Sequence, residues 1–383
     1  MGSLNINILT ASGIKASRIS VEEGIVSSLD IYGPGPKDKL LLVPSFIDMH
    51  VHFRDFEQKE KETVRTGSMA ALAGGASAVC DMPNTVPPVS DKGTFERRRE
   101  LFSENSLCDF LINYCVYDQR SLAEASSVDP LFIKVFLEET TGSYTLEDGM
   151  LEDVFKLGRP IALHSHIEGI KRGIKYSDKY GTPLHICHVS TREIVDLLSR
   201  HKGPNVTCEA TPHHLFLSGD YEVKPPLCIE RDRKALWAAL GTTIDIVASD
   251  HAPHTLEDKI GGAYGISGVE TSLPLMYTAL NRRMISPERY YRCMHLNQVR
   301  ILRRLGRRFG FGEGVRADFC ILDISDTVKI DPSRFYSKAK HSPFEGMEID
   351  ASVSETWVRG KPFFVDGKFQ EYCKGEEIKK YGA

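Results

Sequence analysis

The sequence predicts an α/β fold: a (β/α)8 TIM-like barrel with a small β domain formed by both chain termini. Short apolar runs alternate with longer amphipathic stretches through the middle of the chain, the pattern of parallel strands joined by helical crossovers. Eight such runs fall within roughly 250 residues, the size of a closed barrel. The two ends instead show short alternating runs separated by turn residues and read as β-rich. The expected boundaries are 1–43 and 313–383 for the two parts of the β domain and 44–312 for the barrel. A chain of 383 residues with 41% hydrophobic side chains can bury a large core.

At the N-terminus, Asn5–Leu9 and Ile25–Leu29 are strand-like, and Gly33-Pro34-Gly35-Pro36 breaks the pattern. Leu40–Ile47 is expected to be the first barrel strand, followed by a helix over Glu60–Ala73. Ala76–Cys80 is the second strand, followed by the charged helix Lys92–Asn105. Further strands are expected at Phe110–Val116, Phe132–Leu137, Pro160–Leu163, Pro183–Val189, Asn205–Glu209 and Ile244–Ser249. Helical patterns at Leu146–Leu157, Thr191–His201 and Arg231–Leu240 separate several of them. An open doubly wound sheet is the alternative, but no Gly-rich dinucleotide turn follows the first strand. Toward the C-terminus Ala317–Leu322, Ser354–Arg359 and Pro362–Val365 return to β pattern, with turns at Gly360 and Gly367.

Composition narrows the function classes. The formal net charge is -4 and there is no basic block, which argues against nucleic-acid binding. Nine cysteines are scattered without a Cys-x-x-Cys pair, and Cys80, Cys115 and Cys187 sit in apolar runs. That usage fits reduced, buried thiols rather than a disulfide framework. No basic leader precedes an apolar run at the N-terminus, and no stretch reaches the length of a membrane helix. A cytoplasmic enzyme without membrane partners is expected.

The strongest chemical signal is Asp48-Met49-His50-Val51-His52-Phe53-Arg54-Asp55, just past an apolar strand. Period-two alternation puts His50, His52 and Arg54 on one face and Met49, Val51 and Phe53 on the other. Two imidazoles at the C-terminal end of a barrel strand can bind one metal ion, and the arginine beside them can hold an anion. Alone, His-x-His also fits two histidines satisfied by backbone. However, His164, His188 and Asp250 each end a further strand, where barrel active sites are built. Imidazoles with a hard carboxylate suit Zn2+ or a similar divalent ion, and four imidazoles exceed what one catalytic metal needs. Two metals require a bridging anion. Lys134, flanked by Phe132-Ile133 and Val135-Phe136, could supply it, because a buried neutral lysine can take up CO2 as a carbamate. The alternative is a snorkelling or salt-bridged lysine.

The order His-x-His, strand lysine, His, His, Asp resembles the amidohydrolase superfamily. Finer motifs resemble the dihydroorotase family: Asp48–Arg54, Asp81-Met82-Pro83-Asn84-Thr85, Thr207–His214, Ala248–His254 and Gly265–Thr271. These matches span about residues 44 to 275 and occur in order. The resemblance implies two divalent ions, with Zn2+ the expected metal. His50, His52 and Asp250 would bind the first and His164 and His188 the second, with carboxylated Lys134 bridging them. Arg54, Asn84 and His254 would hold the substrate carboxylate, and Thr140 and Thr141 a closing loop. The implied reaction is reversible hydrolysis of (S)-dihydroorotate to N-carbamoyl-L-aspartate, a step of pyrimidine biosynthesis, by a metal-activated hydroxide with Asp250 moving the proton. A homo-oligomer or association with aspartate carbamoyltransferase is compatible with this reading. The rival readings are another cyclic amidohydrolase (dihydropyrimidinase, hydantoinase or allantoinase) and an inactive scaffold that has lost its metals.

His166, His185, His213, His214 and His251 are expected to be satisfied by hydrogen bonds outside the ligand set, His185 because alternation from His188 turns it to the opposite face. Cys187 and Glu209 adjoin the site and could hold an extra metal, though packing beside the ligands is the simpler reading. The chain also departs from the resemblance. Lys224-Pro225-Pro226-Leu227-Cys228 stands where relatives carry Asn-Pro-Pro-Leu-Arg, leaving Arg231 or Arg233 to compensate. Asp55-Phe56 replaces a Pro-Gly, and His166 an acidic residue.

Overall fold

The computed structural model describes residues 2–36, 38–139, 144–307 and 309–380. Both ends of the chain build one eight-stranded sheet. Gly2–Thr10, Gly13–Glu22 and Ile25–Pro34 form an antiparallel meander from the N-terminal side. Phe319–Asp323, Ser352–Val358, Lys361–Val365 and Lys368–Phe369 form its counterpart from the C-terminal side. Leu40–Pro44 joins the halves, pairing parallel with Gly2–Thr10 and antiparallel with Phe319–Asp323.

The barrel strands are β1 (Phe46–Val51), β2 (Ala76–Asp81), β3 (Asp109–Ile112, resumed at Tyr114–Cys115), β4 (Ile133–Phe136), β5 (Ile161–His164), β6 (Leu184–Ile186), β7 (Val206–Ala210) and β8 (Ile246–Val247). All neighbouring pairs are parallel. The ring closes where Val51 bridges His251 and the His52 amide donates to the His251 carbonyl at 2.8 Å. Asn113 interrupts β3 without opening the ring: its amide donates to Asp81, and its Oδ1 accepts from the Phe132 amide at 3.0 Å. Inside, Ile47, Met49, Ala78, Cys80, Leu111, Phe132, Ala162, Cys187 and Ile246 make one apolar cluster. Helix Asn297–Arg304 closes its floor with Val299, Ile301 and Leu302.

Several expected elements change shape. The run Leu40–Ile47 is two strands, because at Ser45 the chain leaves the terminal sheet and enters the barrel. Leu40–Pro44 belongs to the former, and β1 begins at Phe46. The helix expected over Glu60–Ala73 starts only at Val64, where the Thr63 side chain accepts from the Thr66 amide as an N-cap. The helix expected over Leu146–Leu157 shrinks to Leu151–Lys156, since Gly149 takes a left-handed φ of +84° and interrupts the preceding turn. All nine cysteines are free and buried. No helix among the described residues is long and apolar enough to cross a membrane.

Candidate metal centre

Barrel strands deliver the site residues by departing from regular geometry at their C-terminal ends. A register shift between Asp48 and Val51 puts a bulge in β1. Ile47 and Met49 therefore fill the barrel interior, whereas Val51 and Phe53 pack outward beneath the helices. The expected common face for Met49, Val51 and Phe53 does not exist, and the bulge leaves His50 and His52 both lining the mouth. Arg54, His188 and Asp250 all adopt positive φ, at 43°, 32° and 48°. Such backbone is costly for non-glycine residues and collects at functional sites.

His50, His52 and Asp250 converge. Asp250 Oδ1 lies 3.3 Å from His50 Nε2 and 3.0 Å from His52 Nε2. Their other ring nitrogens are held from behind. His50 Nδ1 is 2.5 Å from Glu209 Oε1, and His52 Nδ1 is 2.7 Å from Asn84 Oδ1. Donation of Nδ1–H to these oxygens leaves each Nε2 lone pair facing the cleft, as a metal ligand requires. A second pair faces the first: His164 Nδ1 and His188 Nε2 are 2.7 Å apart, and His188 Nδ1 has no hydrogen-bond partner. Burial holds His52, His164 and His188 well below the ordinary imidazole range, with neighbouring positive charge adding to the effect. His50 is also lowered by burial, against the pull of Glu209 and Asp250. Neutral imidazoles are the ligating form. Burial raises the Asp250 carboxyl above its usual value, although His50 opposes this.

Lys134 reaches the same cleft from β4. It is fully buried, with Nζ 3.0 Å from Cys187 Sγ and 4.9 Å from the centre of the Phe136 ring. Among the described residues no carboxylate lies within ion-pair distance of it. A buried amine without an anionic partner, beside two clusters of ligand lone pairs, fits carboxylation and a pair of divalent cations. The donor set therefore suits the metals that the sequence implies.

Arg54 is 1% exposed. Its Nε donates to the Pro253 carbonyl at 3.3 Å, its Nη2 lies 3.0 Å from His254 Nε2, and its Nη1 has no partner. Burial lowers the guanidinium pKa to about 10, so it stays cationic at neutral pH. Arg98 Nη1 holds the Arg54 carbonyl at 2.9 Å, and Arg98 is itself paired with Asp81. Asn84 lines the cleft, whereas His254 stands behind Arg54. Thr140 and Thr141 lie outside the described residues.

Glu209 is the residue whose importance the sequence understates. It accepts from His50, from His185 Nε2 at 3.0 Å and from the His188 amide at 3.2 Å. Burial alone would raise its pKa, but His50 and His185 outweigh that and hold it below the usual range. The turn at His188 breaks strand alternation. His185 points into the barrel interior and stacks on Phe132, yet it meets the same carboxylate as the site histidines. His50, Cys187 and Glu209 also bring ligand atoms within 4.8 Å of one another, one layer below the cleft. Neither Arg231 nor Arg233 borders the cleft. Arg233 donates to the Phe216 carbonyl and pairs with Glu230, while Lys224 lines the cleft instead.

Residues 41–363 match the amidohydrolase family. The dihydroorotase of Thermococcus kodakarensis is 37% identical, covering 97% of this chain and 96% of its own. The dihydroorotase of Pyrococcus abyssi is 39% identical, covering 90% and 89%. Among solved structures, the L-hydantoinase of Arthrobacter aurescens superposes with a TM-score of 0.89 over 98% of both chains at 24% identity, which shows the shared fold. On sequence similarity across nearly its whole length, the chain belongs to the dihydroorotase family of the amidohydrolases.

Proposed function

We propose that the protein catalyses the reversible hydrolysis of (S)-dihydroorotate to N-carbamoyl-L-aspartate, using two divalent metal ions, expected to be zinc. His50, His52 and Asp250 would hold one and His164 and His188 the other, with the carbamate of Lys134 between them. Bound there, the metals supply a water that ionises near neutral pH and polarise the amide carbonyl. The chain's own groups do the rest. Water adds to the ring carbonyl carbon and the carbon–nitrogen bond breaks. Asp250 accepts the proton from the attacking water and passes it to the departing nitrogen. Asp250 lines the cleft with Oδ1 within 3.3 Å of both His50 Nε2 and His52 Nε2, at the place where that proton would be exchanged. Glu209 and Asn84 keep His50 and His52 in the tautomer that presents Nε2.

The observation that carries the substrate assignment is Arg54: a buried guanidinium in the cleft with Nη1 unpartnered. A guanidinium binds a carboxylate through two parallel hydrogen bonds. Dihydroorotate has that carboxylate; hydantoins, dihydropyrimidines and allantoin lack it. Arg54→Ala is expected to raise KM for dihydroorotate about tenfold or more while bound metal stays constant. An unchanged KM in that variant, or wild-type preference for hydantoin or dihydrouracil in a substrate panel, would remove the case for dihydroorotate.

A further inference from the structure

Lys224 borders the cleft but has no part in the arrangement above. Its ammonium lies 4.4 Å from the centre of the Tyr264 ring and donates to the Glu139 carbonyl at 2.9 Å. Among the described residues no carboxylate is within ion-pair distance of it. The backbone around it is pinned on both sides. The Glu222 carbonyl accepts from the Gly265 amide at 2.9 Å and from Lys259 Nζ at 2.7 Å, and the Pro225 carbonyl is 3.1 Å from His214 Nε2. Tyr264 separates the two cations of the wall: its ring carries Lys224, and its carbonyl is 2.9 Å from His254 Nε2, which in turn touches Arg54. Lys224 lines the same cleft as His164 and His188. This chain places a cation at the head of its Pro225-Pro226-Leu227 segment.

We propose that Lys224 is a specificity-determining residue: a second cation, beside Arg54, that binds the additional negative charge of the ring-opened substrate. The proposal rests on the dihydroorotase reading. Dihydroorotate carries one carboxylate and N-carbamoyl-aspartate carries two. Arg54 serves the carboxylate common to both, and Lys224 favours the form with the extra anion. The effect falls on ground-state binding of the dianion, so it is read in the KM values rather than in the equilibrium. Because the equilibrium is fixed, any change in kcat/KM is the same in both directions. Removing a charge that acts only on the bound dianion leaves kcat/KM unchanged while KM and kcat for N-carbamoyl-aspartate rise together.

The test measures both directions in wild type, Lys224→Met and Lys224→Arg. Methionine keeps the stem over Tyr264 and removes the charge; arginine keeps the charge. Wild type that turns over neither compound defeats the dihydroorotase reading itself. Given an active wild type, Lys224→Met should raise KM for N-carbamoyl-aspartate about tenfold, the scale of a lost hydrogen bond to a charged group. KM for dihydroorotate should rise no more than about threefold, and Lys224→Arg should keep both within about threefold of wild type. Added salt should narrow the gap between wild type and Lys224→Met. Equal rises in both KM values, or no change in either, would overturn the proposal and leave Lys224 as a tether for the Glu139 carbonyl. Should the methionine variant fail to fold, Lys224→Gln provides the same comparison.

Discussion

Glu209 shows how much of this site is set one layer beneath the cleft. One buried carboxylate receives His50, His185 and the His188 amide, and so orients the His50 ring and holds the backbone at His188. Glu209→Gln removes the charge and forces one amide N–H toward a histidine nitrogen. Metal affinity should fall by about ten- to a hundredfold, the usual cost of losing such a partner, as measured by competition with a chelator. Unchanged affinity would show that His50 is oriented by its ligand alone. His50, His52, His164, His188 and Asp250 were legible as candidates because each lies at or just past the end of an apolar run, where barrel chemistry is built. Glu209 ends its run too, but its role depends on contacts from β1 and β6 that spacing does not reveal. Lys224 was visible only as a departure from expectation; its place at the cleft wall comes from the fold of the segment around it.

At the scale of elements, helix Val64–Ala73 supports the bulged strand through Gly67. A Cβ there would lie 2.5 Å from Phe53 Cδ1, and Phe53 stands between His52 and Arg54 in a fully buried, stacked position against Phe102. Gly67→Ala should therefore destabilise by about 1–3 kcal/mol despite the better helix propensity of alanine, seen as a lower midpoint in urea unfolding. Equal or higher stability would mean that Phe53 can shift at little cost.

Helix Val269–Asn281 makes a different tie. Glu270 accepts from the Tyr336 and Ser337 amides at 3.1 and 3.0 Å, and burial, with Glu62 nearby, pushes its carboxyl up to about 7. A carboxyl raised in the folded state binds more protons there than in the unfolded chain. Its contribution is thus most favourable below the unfolded value and is lost as pH rises through the folded one. Relative to Glu270→Gln, wild type should lose on the order of 3 kcal/mol of stability between pH about 4.5 and above 7. A pH-independent difference would contradict this. The same helix marks where sequence patterning ran out. It is buried on nearly every side and contains Pro274, so it shows no polar face from which to read a helical period. By contrast, Lys92–Asn105 was legible to the residue, with Asp91 as its cap.

Across the whole molecule, two sheets of opposite kind meet at Ser45. The barrel was legible because parallel strands between helices must be apolar throughout, and the terminal sheet because its strands alternate and end in turns. The division of Leu40–Ile47 was not, since both strands are apolar and contiguous. Within the terminal sheet the two halves pack tightly: a Cβ on Gly360 would approach Gly24 Cα at 2.6 Å, so turns from opposite ends of the chain meet backbone to backbone. That frame brings side chains from five strand ends to one cleft at the barrel mouth, where the proposed pair of cations would sit. The most direct test is one preparation analysed for bound metal and for dihydroorotate hydrolysis, before and after chelation. Two divalent ions per chain, turnover lost with the metal and turnover regained on its return are the expected results. Dihydroorotate hydrolysis that persists without metal, or a fully loaded protein that leaves dihydroorotate untouched, would contradict the account.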